Sequence, residues 1–229
     1  AAGLAVTGFI PFIHTFAPFA TRRSFDQVFL SLGYAKNHAV IVGTDPGVTA
    51  EMNGGTHMPF EDVALMRVIP GNNIYEVSDP YQFKAVLTYA HTAKGLFYIR
   101  TIRKQAKSLY NEKEDFSKGY CRLKKGTYGT ILTSGIMVEE ALQAADDLEE
   151  KGISVQVIDL FRIKPMNEEV VIEAAKLGPI VTAENHNVIG GLGSAVAEII
   201  AENHPTKMKR IGVKEQFGQV GKLDYLKEV

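Results

Sequence analysis

The sequence predicts an α/β protein of two domains, each a largely parallel sheet flanked by helices. Three observations carry that prediction. Short apolar runs alternate with helical patterns along most of the 229 residues. Helix-start signals such as Asp79-Pro80 and Asn167 recur between the runs. One charged stretch, from about Lys104 to Gly126, interrupts the alternation. The expected layout is a first domain over residues 1–103, a linker over 104–126 and a second domain over 127–229.

The elements follow in order. Ala1 to Gly8 reads as the last turns of a helix closed by Gly8, so the sequence is expected to begin inside an element whose upstream part is missing. Strands are expected at Phe9–Ile13, Ala39–Gly43, Ile74–Val77 and Leu96–Arg100. Helices are expected at Arg22–Leu32, at Pro59–Val68 with proline in the first turn, and at Asp79–Lys94. In the second series, strands are expected at Tyr128–Thr133, Ile153–Leu160, Ile180–Glu184 and Met208–Val213. Val138, Ala141, Leu142, Ala145 and Leu148 share one helical face. Further helices are expected at Asn167–Leu177 and from Gly190-Gly191-Leu192-Gly193 to about Asn203.

Composition narrows the function. Hydrophobic residues make up 45% and charged residues 22%, which excludes disorder, collagen and coiled coil as the overall class. The single cysteine, Cys121, excludes an internal disulfide framework and a cysteine-cluster zinc site, and suits a cytoplasmic setting. A net charge of −1 points to neither nucleic acid nor an anionic membrane, and the lysine clusters read as solvated surface. No apolar run is long enough to span a bilayer.

In open parallel sheets, ligands bind beyond the carboxyl ends of the strands. That rule selects Phe16, Phe19, Arg22 and Arg23 after the first strand, Asp45 after the second, His57 in the loop Asn53-Gly54-Gly55-Thr56-His57, and Arg100 with Arg103 at the fourth. Aromatic faces suit a flat ring, an imidazole suits polar or proton work, and guanidinium forks suit phosphate. Each residue also has a plainer reading: the phenylalanines as core, His57 as a helix-start polar group, Arg100 in a structural ion pair, Asp45 as a turn residue. Gly191-Leu192-Gly193 lacks the third glycine of a dinucleotide fingerprint, since Val196 stands there, and close helix packing explains it more simply. Glu184-Asn185-His186 reads as polar site or interface residues.

The segment Thr15-Phe16-Ala17-Pro18-Phe19-Ala20-Thr21-Arg22-Arg23, the stretch Gly54-Gly55-Thr56-His57-Met58-Pro59-Phe60-Glu61, and Val181-Thr182-Ala183-Glu184-Asn185-His186 with Gly190-Gly191-Leu192-Gly193 together resemble transketolases, in the right order across the chain. The resemblance implies the pyrimidine-binding and carboxy-terminal domains of a thiamine diphosphate-dependent enzyme. It implies Phe16, Phe19 and Arg22 around the aminopyrimidine, His57 facing the reacting carbon, and Asp45 with Arg100 or Arg103 toward the sugar phosphate. Asp45 stands twelve residues before His57, where full-length transketolases generally carry histidine and deoxyxylulose-phosphate synthases carry aspartate. The family's activating glutamate would precede Ala1. Magnesium and the diphosphate would be held through a Gly-Asp-Gly motif, and none occurs in this sequence. An amino-terminal partner subunit or domain is therefore expected to hold Mg2+, with this chain as a homodimer within a larger assembly. A 2-oxoacid dehydrogenase beta-like subunit, a deoxyxylulose-phosphate synthase, and a scaffold without chemistry are the alternatives.

Overall fold

The computed structural model describes residues 1–104 and 106–229; Gln105, within the expected linker, lies outside the described residues. The first sheet runs β1 (Phe12–Phe16), β2 (Ala39–Thr44), β4 (Leu96–Thr101), β3 (Asn73–Glu76) and β8 (Arg162–Lys164). The second runs β10 (Met208–Val213), β9 (Ile180–Asn187), β6 (Gly129–Thr133), β7 (Val155–Asp159) and β5 (Cys121–Lys124). Each has four parallel strands and one antiparallel edge strand, β8 on β3 and β5 on β7.

Helices α1 (Ala2–Val6), α2 (Ala17–Ala20), α3 (Phe25–Gln27), α4 (Asp62–Arg67) and α5 (Pro80–Thr92) belong to the first series. In the second, α6 (Met137–Glu149), α7 (Glu168–Leu177) and α8 (Leu192–Asn203) follow strands, and α9 (Leu223–Glu228) closes the chain. Caps do what their residue types allow. Asp79 accepts from the Gln82 amide at 2.9 Å and Asn167 from the Val170 amide at 3.1 Å, each filling an orphan donor of a first helical turn.

Several boundaries differ from expectation for local reasons. β1 starts three residues later than expected, beyond Pro11, which has no N–H for a ladder and contributes only its carbonyl, to Val40 N at 3.0 Å. The expected helix at 22–32 is instead 3-10 over Arg22–Ser24, α over Phe25–Gln27 and π-helical over Val28–Tyr34. α4 begins at Asp62, not Pro59, because the Pro59 carbonyl accepts from the Gly47 amide of the preceding loop and not from a helical amide four residues on. The linker contains β5: Cys121 is buried while Arg122 reaches solvent, the alternation of an edge strand.

The two domains interlock. β8 leaves the second series and completes the first sheet through Ile74–Lys164 and Tyr75–Arg162 pairing. One buried apolar cluster runs from Ile41, Met66, Ile74 and Tyr98 to Leu132, Ile158, Val171 and Val196. Asp79 adds a polar tie, since its second oxygen accepts from the amides of Leu109 and Tyr110 at 3.1 and 3.0 Å. Losing a helix cap together with two loop anchors exceeds an ordinary cap loss. Asp79→Ala is expected to cost about 2 kcal/mol or more, read as a lowered urea midpoint at unchanged slope.

Candidate functional site

The carboxyl edge of the first sheet gathers the expected residues, with one exception. Phe16 ends β1 and Phe19 lies in α2; their ring centroids are 5.9 Å apart in an edge arrangement. The His57 ring sits against both, at 5.4 Å from Phe16 and 5.0 Å from Phe19. Arginines cover the phenylalanines, Arg23 at 3.8 Å over Phe19 and Arg103 at 4.4 Å over Phe16. Residues distant in sequence thus form one aromatic and cationic cluster at the mouth of a parallel sheet.

The loop carrying His57 is held from several sides. Arg22 pairs with Glu61 at 2.8 Å and donates to the Thr56 carbonyl at 3.2 Å. Thr56 Oγ1 lies 2.9 Å from His57 Nδ1. Among the described residues the other ring nitrogen has no hydrogen-bond partner, so it is the one able to meet a ligand. Behind the loop, a Cβ on Gly55 would strike the Gly218 carbonyl at 2.3 Å, so only glycine lets the C-terminal segment pack there.

Asp45 follows β2 with φ of 50°, in the left-handed region that aspartate tolerates better than most residues. Its carboxylate is 2% exposed and receives Arg103 twice, through the backbone amide at 3.3 Å and through Nε. Arg103 is 54% exposed.

Arg100 departs from expectation. It is fully buried, donating to Asp62 through Nε at 2.7 Å and Nη2 at 3.0 Å, to Glu76, and to the Asn185 carbonyl at 2.8 Å. Its donors face an interior ion cluster, so it does not reach a ligand at the cleft; the plainer reading of a structural ion pair is the one seen. Burial alone pushes Asp62 up, but Arg100 and His186 override it and leave the carboxyl below its ordinary value. For Arg100, the burial penalty is outweighed by Asp62 and Glu76, and the guanidinium is held charged.

Sequence reasoning missed most of this cluster, because Asp62, Glu76, Tyr98, Ser134 and Asn185 share no spacing. The sequence alone reads Asn185 as a polar site or interface residue, and it lies at the interface. Its side chain clasps the loop after Asp45, accepting from Val48 N and donating to the Pro46 carbonyl, each at 2.9 Å. Gly47, at φ of 54°, makes room: a Cβ there would meet Asn185 Oδ1 at 2.1 Å. The second domain thereby fixes the loop that presents Asp45.

Next to Asn185, Glu184 and His186 are buried beside each other, with His186 Nδ1 3.9 Å from Glu184 Oε2. Burial lowers His186 to about 4, and a proton on Nδ1 given to the Asn187 carbonyl at 2.7 Å leaves Nε2 to accept from Ala64 N at 3.4 Å. Burial raises Glu184 to about 7, partly offset by amides at the start of α8. A carboxyl whose folded value lies above its unfolded one contributes stability below about pH 4.5 that is lost as pH rises through about 7. Glu184→Gln removes that loss, so its stability relative to the parent should improve between pH 5 and pH 8. Urea unfolding at the two pH values checks this, and an equal difference at both would contradict it.

Among the described residues no group of three or more His, Cys, Asp or Glu side chains is placed to hold a metal ion. No helix among them is long and apolar enough to cross a membrane.

Family models match both halves of the chain: the transketolase pyrimidine-binding domain over residues 1–108 and the transketolase C-terminal domain over residues 119–228. A 6-deoxy-6-sulfo-D-fructose transketolase subunit, SqwH, from Clostridium sp. strain MSTE9 is 50% identical over all of this chain and 71% of its own length. A putative transketolase C-terminal section from Methanocaldococcus jannaschii is 38% identical over 99% of the chain and 72% of that protein. A solved split-gene transketolase, described as an inactive beta4 tetramer, superposes with a TM-score of 0.93 at 40% identity, over all of this chain and 74% of that one. Likeness of this extent, carried by both sheets and both domains, means that the chain belongs to the transketolase family and comprises its pyrimidine-binding and C-terminal domains.

Proposed function

We propose that the chain is the pyrimidine-side half of a two-part transketolase. In this reading it moves a two-carbon ketol unit from a ketose phosphate to an aldose phosphate with thiamine diphosphate. The observation that carries the reading is the Phe16, Phe19 and His57 cluster at the carboxyl edge of a parallel sheet.

The fit to the organic part of the cofactor is chemical. An aminopyrimidine is a flat ring with a polar rim, and Phe16 and Phe19 offer it aromatic surface, with Arg22 holding the neighbouring loop in place. When bound, the cofactor supplies a thiazolium carbon that accepts the two-carbon fragment and spreads its charge. The chain's own work is to seat the ring, keep water out, and place His57 to hold or pass a proton at the sugar oxygen nearest the reacting carbon. Arg103, over Phe16, is placed to meet the acidic end of the sugar.

The chain does not fit the metal. With no Gly-Asp-Gly motif in its sequence and no metal-holding cluster among its described residues, Mg2+ and the diphosphate fall to a partner subunit or domain. The relative described as an inactive beta4 tetramer supports the view that copies of this half alone lack activity. The active assembly would then pair two copies of each half.

A second donor class deserves equal trial. The 50% identical relative is named for a sulfonated ketose, and the carboxylate behind Arg103 weakens the positive field a phosphate would meet.

The experiment combines the chain with a diphosphate-binding transketolase subunit, thiamine diphosphate and Mg2+, and offers xylulose 5-phosphate with ribose 5-phosphate, a 6-sulfo ketose with the same acceptor, and pyruvate. Ketol transfer from a sugar donor is expected. Turnover with pyruvate alone would point instead to the dehydrogenase or synthase alternatives, and none with any donor to the scaffold. In the same assembly Phe16→Ala should raise the thiamine diphosphate concentration needed for half-activity by about tenfold, with little change in kcat at saturation.

A further inference from the structure

A cavity of about 700 Å3 opens where the linker meets both domains, a size and place that suit a small ligand. Its floor is Tyr75 of β3, Phe161 just before β8, and Val86 of α5, all buried. One wall is the side of α5 that carries Tyr81, Lys84 and Thr88, and the other is loop 111–117 with Phe116. It shares no lining residue with the cleft of Arg103 and Lys104, which lies against Pro80, Phe83 and Leu87 on another side of α5.

The frame of this cavity is pinned on several sides. The Tyr75 and Phe161 ring centroids are 6.4 Å apart, and Phe116 meets Phe161 edge-on at 5.8 Å. Asp115 accepts from the Ser117 amide at 3.0 Å, and Arg162 donates to the carbonyls of Ser117 at 3.4 Å and Lys118 at 2.9 Å. Tyr110, just ahead of the loop, donates to Asp159 at 2.7 Å. Walls held in this way cost a ligand little ordering.

One polar group in the floor is left over. Tyr75 is 3% exposed, and its hydroxyl has no hydrogen-bond partner among the described residues. Arg162 stands beside it, but its terminal nitrogens go to the loop carbonyls and its Nε is buried without a partner. Burial pushes Tyr75 up to about 12, with Arg162 drawing it partly back, so the group stays a neutral donor. An unpaired buried hydroxyl is costly, and a ligand atom that accepts from it removes that cost. The charged lining cancels, Lys84 and Arg162 against Glu112 and Glu114, so no net charge selects an anion or a cation. The aromatic floor and wall suit a flat apolar body.

We propose that this cavity binds a small, uncharged heteroaromatic molecule, which packs against Phe116 and Phe161 and accepts a hydrogen bond from the Tyr75 hydroxyl. The site is independent of the reading of the chain as a transketolase half.

Quinoline is the probe, uncharged at neutral pH and with one ring acceptor. N-methylquinolinium is the same bicycle made cationic, its nitrogen closed to any donor. Titrated into the 229-residue chain and followed by amide NMR shifts, quinoline is expected to bind at about 1 mM or tighter. N-methylquinolinium should bind about tenfold more weakly, since it carries a charge into an apolar floor and leaves the hydroxyl unpaired. Tyr75→Phe keeps the ring and removes only the hydroxyl. It should weaken quinoline about fivefold and leave N-methylquinolinium within about twofold. The urea midpoint should hold or rise in that variant, because the hydroxyl has no partner to lose. Thr88→Trp, at an exposed position of α5, should fill the cavity and abolish binding of both probes. Equal affinity for the two probes, or quinoline binding that Tyr75→Phe leaves unchanged, would overturn the proposal. So would binding that survives Thr88→Trp in folded protein, or no saturation by quinoline up to about 10 mM.

Discussion

His57→Ala is expected to lower kcat/KM for ketol transfer by about 10²- to 10³-fold in the complete assembly, the range for loss of a positioned proton-handling group. The imidazole touches both phenylalanine rings, and its Nδ1 is beside Thr56 Oγ1, which leaves Nε2 for the substrate. Its loop is held by Arg22, Glu61 and the packing of Gly55 against Gly218, none of which depends on the ring. Assembly and the urea midpoint should therefore change little. Steady-state kinetics alongside sizing of the complex separate the two effects. A decrease of less than about threefold would remove His57 from the chemistry.

Arg100→Met is expected to be the most damaging single change to folding. Removing one member of a buried ion cluster costs about 3–5 kcal/mol, because the charges left behind cannot be hydrated. Here Asp62 and Glu76 would both lose their guanidinium, and the Asn185 carbonyl its donor. The remaining hydrogen bonds, Tyr98 to Asp62 at 2.6 Å and Ser134 to Glu76 at 2.6 Å, do not neutralise two carboxylates. Since the cluster joins the domains, the loop holding Asp45 should loosen with it. Urea unfolding and proteolysis of the 44–57 segment measure both. A variant as stable as the parent would show that the cluster ionises differently from this description.

Much of the fold was legible because local and global preferences agree. The buried strands Val40–Val42, Ile131–Leu132 and Val157–Ile158 are continuous apolar runs, as parallel strands covered on both faces require. Asp79 and Asn167 marked helix starts by the same hydrogen bonds the structure shows. β8 was hidden because Arg162-Ile163-Lys164 is three residues long and pairs with a strand far upstream, which no local pattern encodes. β5 left a faint trace in the alternation of Cys121 and Leu123 with Arg122 and Lys124, masked by the charged residues around it.

The site divides along the same line. Phe16, Phe19 and His57 could be found because strand ends in a parallel sheet face one edge, so position alone selects them. Arg100 and Arg103 could not be told apart on that rule. Arg100 lies within β4 and turns inward to Asp62, whereas Arg103 lies two residues past the strand's end and emerges over Phe16. The partners that settle the matter, Glu76 and Asn185, come from another strand and another domain.

The decisive trial is ketol transfer with the purified chain, thiamine diphosphate and Mg2+, measured before and after a diphosphate-binding subunit is added. No transfer without the subunit, and activity that rises with it until the two are equimolar, is the expected result. Undiminished transfer by the 229-residue chain unaided would contradict a division of the cofactor between two polypeptides.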